Sequence, residues 1–201
     1  MLKRVAVFLA VSFIFCFFSS GVLFAQRTYS EPAVTAVERS GGKANVVFNG
    51  EIKIFNIIAE NGDIKFPVYA NQGRLYRQFG ILNGDFKKRL YAVLTSTASE
   101  TLAPSGSKIL SFTINKREII QNHQSVRAYY SVIFDGVIEV YCRIMEGKDD
   151  LWIAWPSSKN QNGRWNKDFE FKNAGLKRTI ESALINDYNI NKKNERKSKD
   201  R

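Results

Sequence analysis

The sequence predicts an α+β fold of two tandem units, each an antiparallel β-sheet closed by one C-terminal helix. Three observations carry this: a block of residues recurs, runs of period two meet at Asx-Gly turns in both copies, and each copy ends in an apolar stripe of helical spacing. Gly73-Arg74-Leu75-Tyr76-Arg77-Gln78-Phe79, with Ile81, Asn83, Phe86-Lys87-Lys88, Leu90 and Val93-Leu94, returns ninety residues later. The second copy reads Gly163-Arg164-Trp165-Asn166-Lys167-Asp168-Phe169, with Phe171, Asn173, Leu176-Lys177-Arg178, Ile180 and Ala183-Leu184. Upstream, Val46 to Gly50 with Ile52, Ile54 and Glu60 returns as Val132 to Gly136 with Ile138, Val140 and Glu146, offset by 86.

Each unit opens with a hairpin. Val126, Ala128, Tyr130, Val132 and Phe134 alternate with Arg127, Tyr129, Ser131 and Ile133. After Asp135-Gly136, Ile138, Val140, Cys142 and Ile144 alternate with Val137, Glu139, Tyr141 and Arg143. Asn49-Gly50 makes the same connection in the first unit, because both pairs tolerate the positive φ of a tight turn. A third strand, Leu151 to Trp155, ends at Pro156, which lacks an N–H for the ladder; its counterpart is Ile64 to Phe66 before Pro67. Ile109 to Ile120 reads as the first strand of the second unit, and the region of Val34 and Ala36 as that of the first. Asn83 and Asn173 are expected N-caps. Phe86, Leu90, Val93 and Leu94 form one helical stripe, and Leu176, Ile180, Ala183, Leu184 and Tyr188 the other. A unit of this size is marginal alone, so the two are expected to pack tightly on each other.

These elements divide the chain into a leader at 1–25, a first unit at 33–95, a linker rich in Ser, Thr, Gly and Pro at 96–108, a second unit at 109–188 and a disordered basic tail at 189–201. The leader has Lys3 and Arg4, an apolar run from Val5 to Phe18, and Ala25 before Gln26. That is the pattern of a secretory signal peptide. The expected location is therefore periplasmic, extracellular or envelope-associated, with an uncleaved membrane anchor as the alternative. Net charge falls from +11 to +9 once Lys3 and Arg4 are removed, with +4 in the tail and +5 in the folded body.

Chemistry is limited by composition. His123 is the single histidine, and Cys142 the single cysteine after the leader; Cys142 falls on the apolar face of its strand. Neither a metal constellation nor a glycine-rich phosphate loop before a helix appears. Asp149-Asp150 sits in an expected surface turn. Trp152 and Trp155 point to opposite faces of their strand, one toward the core. No catalytic residue, metal or cofactor is expected, and no small-molecule substrate. Basic residues instead gather after the recurring glycines and at the helix starts: Arg74, Arg77, Lys87 and Lys88 in the first unit, and Arg164, Lys167, Lys172, Lys177 and Arg178 in the second. Trp165 adds a stacking face, as does Tyr76. Such a set suits a phosphate backbone or another polyanion.

The stretches Arg127 to Asp135 and Arg143 to Lys159 resemble the SpoVG septation and sporulation family. Asn162-Gly163-Arg164-Trp165-Asn166-Lys167-Asp168 fits that family's glycine loop, and Ile180 to Tyr188 its helix end. The likeness covers about Ser111 to Tyr188 and reaches the first unit more weakly. Trp155 stands where the family has Met, and Glu170-Phe171-Lys172-Asn173 lacks the family's His-Pro. The resemblance implies single units that pair as cytoplasmic homodimers, bind DNA or RNA and affect septum formation. Two units in one chain would then form an intramolecular pseudo-dimer, making further oligomerisation optional. The expected function is an exported, non-enzymatic SpoVG-like protein that associates with a polyanion. The alternatives are an envelope or septum protein-interaction scaffold and, without export, a nucleic-acid-binding regulator.

Overall fold

The Asx-Gly turns form as their chemistry requires. Asn49 and Gly50 have φ of 50° and 70°, and Asp135 and Gly136 have 47° and 69°. Each turn is followed by one extra residue, since Phe48 pairs with Ile52 and Phe134 with Ile138. The extra residues, Glu51 and Val137, are both buried. Simple alternation, which puts Val137 on the outer face, is thus wrong at this position: the bulge turns it inward.

The computed structural model describes residues 31–71, 73–96, 110–120, 123–148, 150–160 and 162–199. The leader lies outside them, as does the linker apart from Ser96. The strands of the first half are β1 (Val34–Ser40), β2 (Lys43–Phe48), β3 (Ile52–Glu60), β4 (Asp63–Lys65), β5 (Val68–Asn71), β6 (Arg74–Arg77) and β7 (Phe79–Ile81), followed by α1 (Gly84–Thr95). The second half has β8 (Phe112–Ile119), β9 (Val126–Phe134), β10 (Ile138–Glu146), β11 (Leu151–Ala154), β12 (Ser157–Lys159), β13 (Trp165–Lys167), β14 (Phe169–Phe171) and α2 (Ala174–Lys199). The fold is α+β, and all of its strand pairs are antiparallel.

The two five-stranded sheets are built across the halves. One runs β1-β2-β3-β14 with β4 also on β3; the other runs β11-β10-β9-β8 with β7 on β10. So β14 pairs with the first half (Phe169 opposite Ile54, Phe171 opposite Ile52), while β7 pairs with the second (Phe79 opposite Val140, Ile81 opposite Ile138). The bulge carbonyls secure both insertions. Leu82 N donates to Val137 O at 2.8 Å, and Lys172 N donates to Glu51 O at 2.7 Å. A single core runs through both sheets, with Phe169 touching Phe79, Phe134, Phe171 and Trp155.

Both helices begin at the expected caps. Asn83 Oδ1 accepts from Phe86 N at 2.9 Å, and Asn173 Oδ1 from Gly175 N and Leu176 N at 2.9 and 3.1 Å. Phe86, Leu90, Val93 and Leu94 are buried, as are Leu176, Ile180, Leu184 and Tyr188. Each such side chain stabilises the fold by roughly 1.5–3 kcal/mol. Trp152 is 48% exposed, whereas Trp155 packs edge-on against Phe171 at 4.8 Å and donates Nε1–H to Glu181 at 2.8 Å.

The tail departs from expectation: α2 continues to Lys199 instead of giving way to disorder after Tyr188. Extending a helix already docked by its first turns costs far less than starting one, and Lys, Arg and Glu are good helix formers. Asn191 Nδ2 also donates to Asp187 O and Oδ2 at 2.9 and 2.8 Å, and Lys192 lies 5.4 Å from the centre of the Tyr188 ring.

Glu51 ties the halves together with its side chain as well. Its carboxylate accepts from Leu110 N at 2.9 Å and from Asn173 Nδ2 at 3.2 Å. Replacing Glu51 with Ala leaves the buried Leu110 N–H without that acceptor, which costs about 1–3 kcal/mol, while Asn173, an exposed residue, can turn its amide to solvent. Denaturant melts should show that loss for E51A and a smaller one for E51Q, which keeps an acceptor oxygen.

Candidate functional site

Two ribbons, β5–β6 and β12–β13, bring the predicted residues of the two glycine loops together. Their turns use Gly73 and Gly163, with φ of 75° and 74°. Tyr69 lies opposite Tyr76 across the first ribbon, and Lys159 opposite Trp165 across the second. The ribbons meet where Tyr69 stacks on Trp165, their centroids 5.8 Å apart and the planes 23° from parallel. Arg143 of β10 places its guanidinium 5.2 Å from the Tyr69 ring, and Lys159 places its ammonium 5.2 Å from Trp165. The result is a ridge in the order Arg143, Tyr69, Trp165, Lys159. Cation–π contacts at such exposed sites contribute about 0.5–1 kcal/mol each. Trp165 remains 52% exposed, so its ring is accessible to a ligand.

Arg74, Arg77, Arg164, Trp165 and Lys167 all lie on or beside these ribbons. Arg74 shares a face of its ribbon with Tyr69 and Tyr76, and Lys167 shares one with Trp165. Arg77 faces the other way, donating Nε–H to Phe79 O at 2.6 Å. The remaining candidates stand at the helix starts, several beside carboxylates: Lys87 with Asp63, Lys88 with Asp85 at 3.2 Å, and Lys177 with Glu181 at 3.8 Å. Those pairings reduce the field they offer an anion. Lys172 and Arg178 are exposed. Tyr69, Arg143 and Lys159 are absent from the sequence-derived set. Arg143 was visible there as an outward position of its strand, but nothing local indicates that Tyr69 crosses to the other ribbon.

Beneath the ribbons, the outer face of β9 and β10 carries a buried polar group. Glu139 accepts from Tyr141 Oη at 2.7 Å and Ser131 Oγ at 2.8 Å, and it forms an ion pair with Arg117. Burial alone would raise its pKa, but the hydrogen bonds from Tyr141, Ser131 and Arg117 outweigh that and hold it below the usual carboxylate value. Burial and the Glu139 charge raise the Tyr141 phenol in turn. Gly80 lies opposite Glu139. A Cβ there would come within 2.7 Å of Arg77 Nη2 and 3.3 Å of Glu139 Oε2, so glycine gives the arginine its place.

Cys142 is buried, and burial pushes its thiol well up, away from the reactive thiolate. His123 Nδ1 is occupied, accepting from Ser125 N and Val126 N at 3.2 and 3.0 Å. Among the described residues, no three His, Cys, Asp or Glu side chains gather to hold a metal ion. No described helix is long and apolar enough to cross a membrane.

Residues 108–190 match the model of the SpoVG family. A candidate septation protein SpoVG from Symbiobacterium thermophilum is 30% identical over 82 residues, covering 40% of this chain and 56% of that protein. The chain thus spans about half the length of that relative. No solved structure matches it. The matched segment spans β8 through most of α2, and includes Arg143, Lys159 and Trp165.

Because the folded-state pKa of Glu139 lies below its unfolded value, its stabilisation is fully present above the usual carboxylate range. It is lost as pH falls through the lowered value. Glu139→Gln should therefore lower stability at neutral pH and flatten the acid limb of the stability–pH curve, as read from denaturant midpoints across that range.

Proposed function

We propose, from the match of residues 108–190 to the SpoVG family model, that this chain is a non-enzymatic binding protein that grips an anionic polymer along its paired ribbons. The observation that carries this reading is the Tyr69–Trp165 stack between Arg143 and Lys159, with Arg74, Arg164 and Lys167 on the same two ribbons. Stacking faces flanked by cations suit single-stranded nucleic acid, whose bases stack while its phosphates pair. The leader pattern at residues 1–25 favours an exported protein, for which an anionic envelope polymer takes the same place. A role in septation, as in the name of the Symbiobacterium protein, is the cellular setting proposed for it.

We also propose that the two halves are copies of one unit, arranged as two subunits would be. The inserted strands support this, since their registers map onto each other under the offsets seen in the sequence. Ile52 opposite Phe171 becomes Ile138 opposite Ile81, and Ile54 opposite Phe169 becomes Val140 opposite Phe79. Residues that correspond across the copies touch: Phe79 lies 6.5 Å from Phe169, and Gln78 Nε2 donates to Asp168 Oδ2 at 3.0 Å. Burial raises the Asp168 carboxyl, although Gln78, Ser158 and Asn56 donate to it. Two identical units would place carboxylate against carboxylate here; the fused chain places an amide donor against one.

Two measurements test these readings. Fluorescence anisotropy with a labelled single-stranded oligonucleotide and with an anionic wall polymer should show affinity that falls steeply with salt. Neutralising Arg74, Arg164 and Lys167 together should reduce it at least about tenfold and flatten the salt slope while the fold is kept. Unchanged binding would remove the polymer reading and favour a protein-interaction scaffold. Separately, Gln78→Glu keeps shape but sets two carboxylates together. It should cost about 3–5 kcal/mol at neutral pH. The stability should return on acidification, because the raised pKa makes the protonated form the one that fits.

A further inference from the structure

Beside the ridge, a cleft of about 390 Å³ opens between the β5–β6 ribbon and the outer face of β9 and β10. Its volume falls in the range of small-molecule sites. Tyr129 and Tyr141 line it from the sheet, Tyr69 and Tyr76 from the ribbon. Arg143 lies opposite Tyr129 across β9 and β10 and also lines the cleft. Arg77 leaves the other face of the ribbon, but its guanidinium lies beside Gly80 and borders the cleft, while no Asp or Glu is among the described residues that line it. The nearby Glu139 spends its oxygens on Tyr141, Ser131 and Arg117. The site therefore combines aromatic walls with two guanidinium groups and excludes competing negative charge from its lining.

We propose that this cleft binds a single planar ring carrying a phosphate, such as a mononucleotide. The ring lies against Tyr129 and Tyr76, which are 38% and 43% exposed, and the phosphate is held by Arg143 and Arg77. Guanidinium forks match the geometry of phosphate oxygens, and ring stacking contributes without requiring a particular base. Tyr141 is fixed by its hydrogen bond to Glu139, and the guanidinium of Arg117 lies 5.3 Å from its ring, so that wall is preorganised. The second-half sheet alone provides this floor. Under the offset of the copies, Glu139 corresponds to Lys53, which pairs with Glu38 at 2.7 Å. The inference goes beyond the polymer reading, since it needs only one ring and one phosphate, and the same chemistry is offered by a free nucleotide or by the phosphorylated end of a strand.

Calorimetric titration with uridine 5′-monophosphate should show one saturable site per chain, with uridine and orthophosphate each at least about tenfold weaker. Tyr129→Ala should weaken the nucleotide at least about tenfold, and Tyr129→Phe should preserve it. Competition by a 5′-phosphorylated oligonucleotide but not by its unphosphorylated form would support a strand end as the occupant; equal failure of both to compete would support a free nucleotide. No saturable nucleotide binding, or binding indifferent to Tyr129→Ala, overturns the proposal. If oligonucleotide affinity survives that result, the polymer reading stands without the cleft; if nucleotide binding survives loss of all oligonucleotide affinity, the cleft stands without the polymer reading.

Discussion

Each half of the chain lends a three-residue strand to the other half's sheet, and the position of nearly everything else follows. Strand β7 completes the sheet around β10, and β14 completes the sheet around β3. Neither sheet reaches five strands from its own half. Because β7 and β14 come directly after the ribbons β5–β6 and β12–β13, their insertion draws the ribbons side by side. Because they come directly before the helices, it also sets where α1 and α2 begin. The main-chain bonds to Glu51 and Val137 hold both junctions. Losing one insertion would expose an unpaired edge on a long central strand, a state prone to association with other chains.

Burying polar groups at the crossing demands partners for each of them. Asp168 has Gln78 and Ser158, and Glu51 has the Leu110 amide and Asn173. The contacts of Gln78 with Asp168, and of Glu51 with Leu110 and Asn173, join groups distant in sequence, so satisfaction requires the correct mutual position of the halves. An apolar interface tolerates small slips, whereas a buried carboxylate left short of its donors does not. These polar contacts therefore specify the arrangement as much as they stabilise it.

Local signals made most elements legible in the sequence. The turns at Asn49 and Asp135, the caps at Asn83 and Asn173, and the buried helix stripes follow from propensity and period. Arg74 and Arg164, and Arg77 and Lys167, are legible because they recur in register, and Trp165 stands beside them in the same block. The inserted strands were not legible: Phe79 to Ile81 is too short to show a period, and its partner lies some sixty residues away. Tyr69 escaped for the same reason, since its value to the site lies in a contact with Trp165 made only after the crossing. The tail misled in the opposite direction. Its composition lacks a core-facing stripe, but the helix already docked at Leu176 to Tyr188 carries it onward.

Two identical subunits related by a two-fold axis present a surface that reads the same from either end. The ridge does not. From one side its order is guanidinium, phenol, indole and ammonium, and from the other it is reversed. A linear molecule lying along it meets a different group first according to its direction, so forward and reversed placements differ in energy. The ridge thus has a head and a tail.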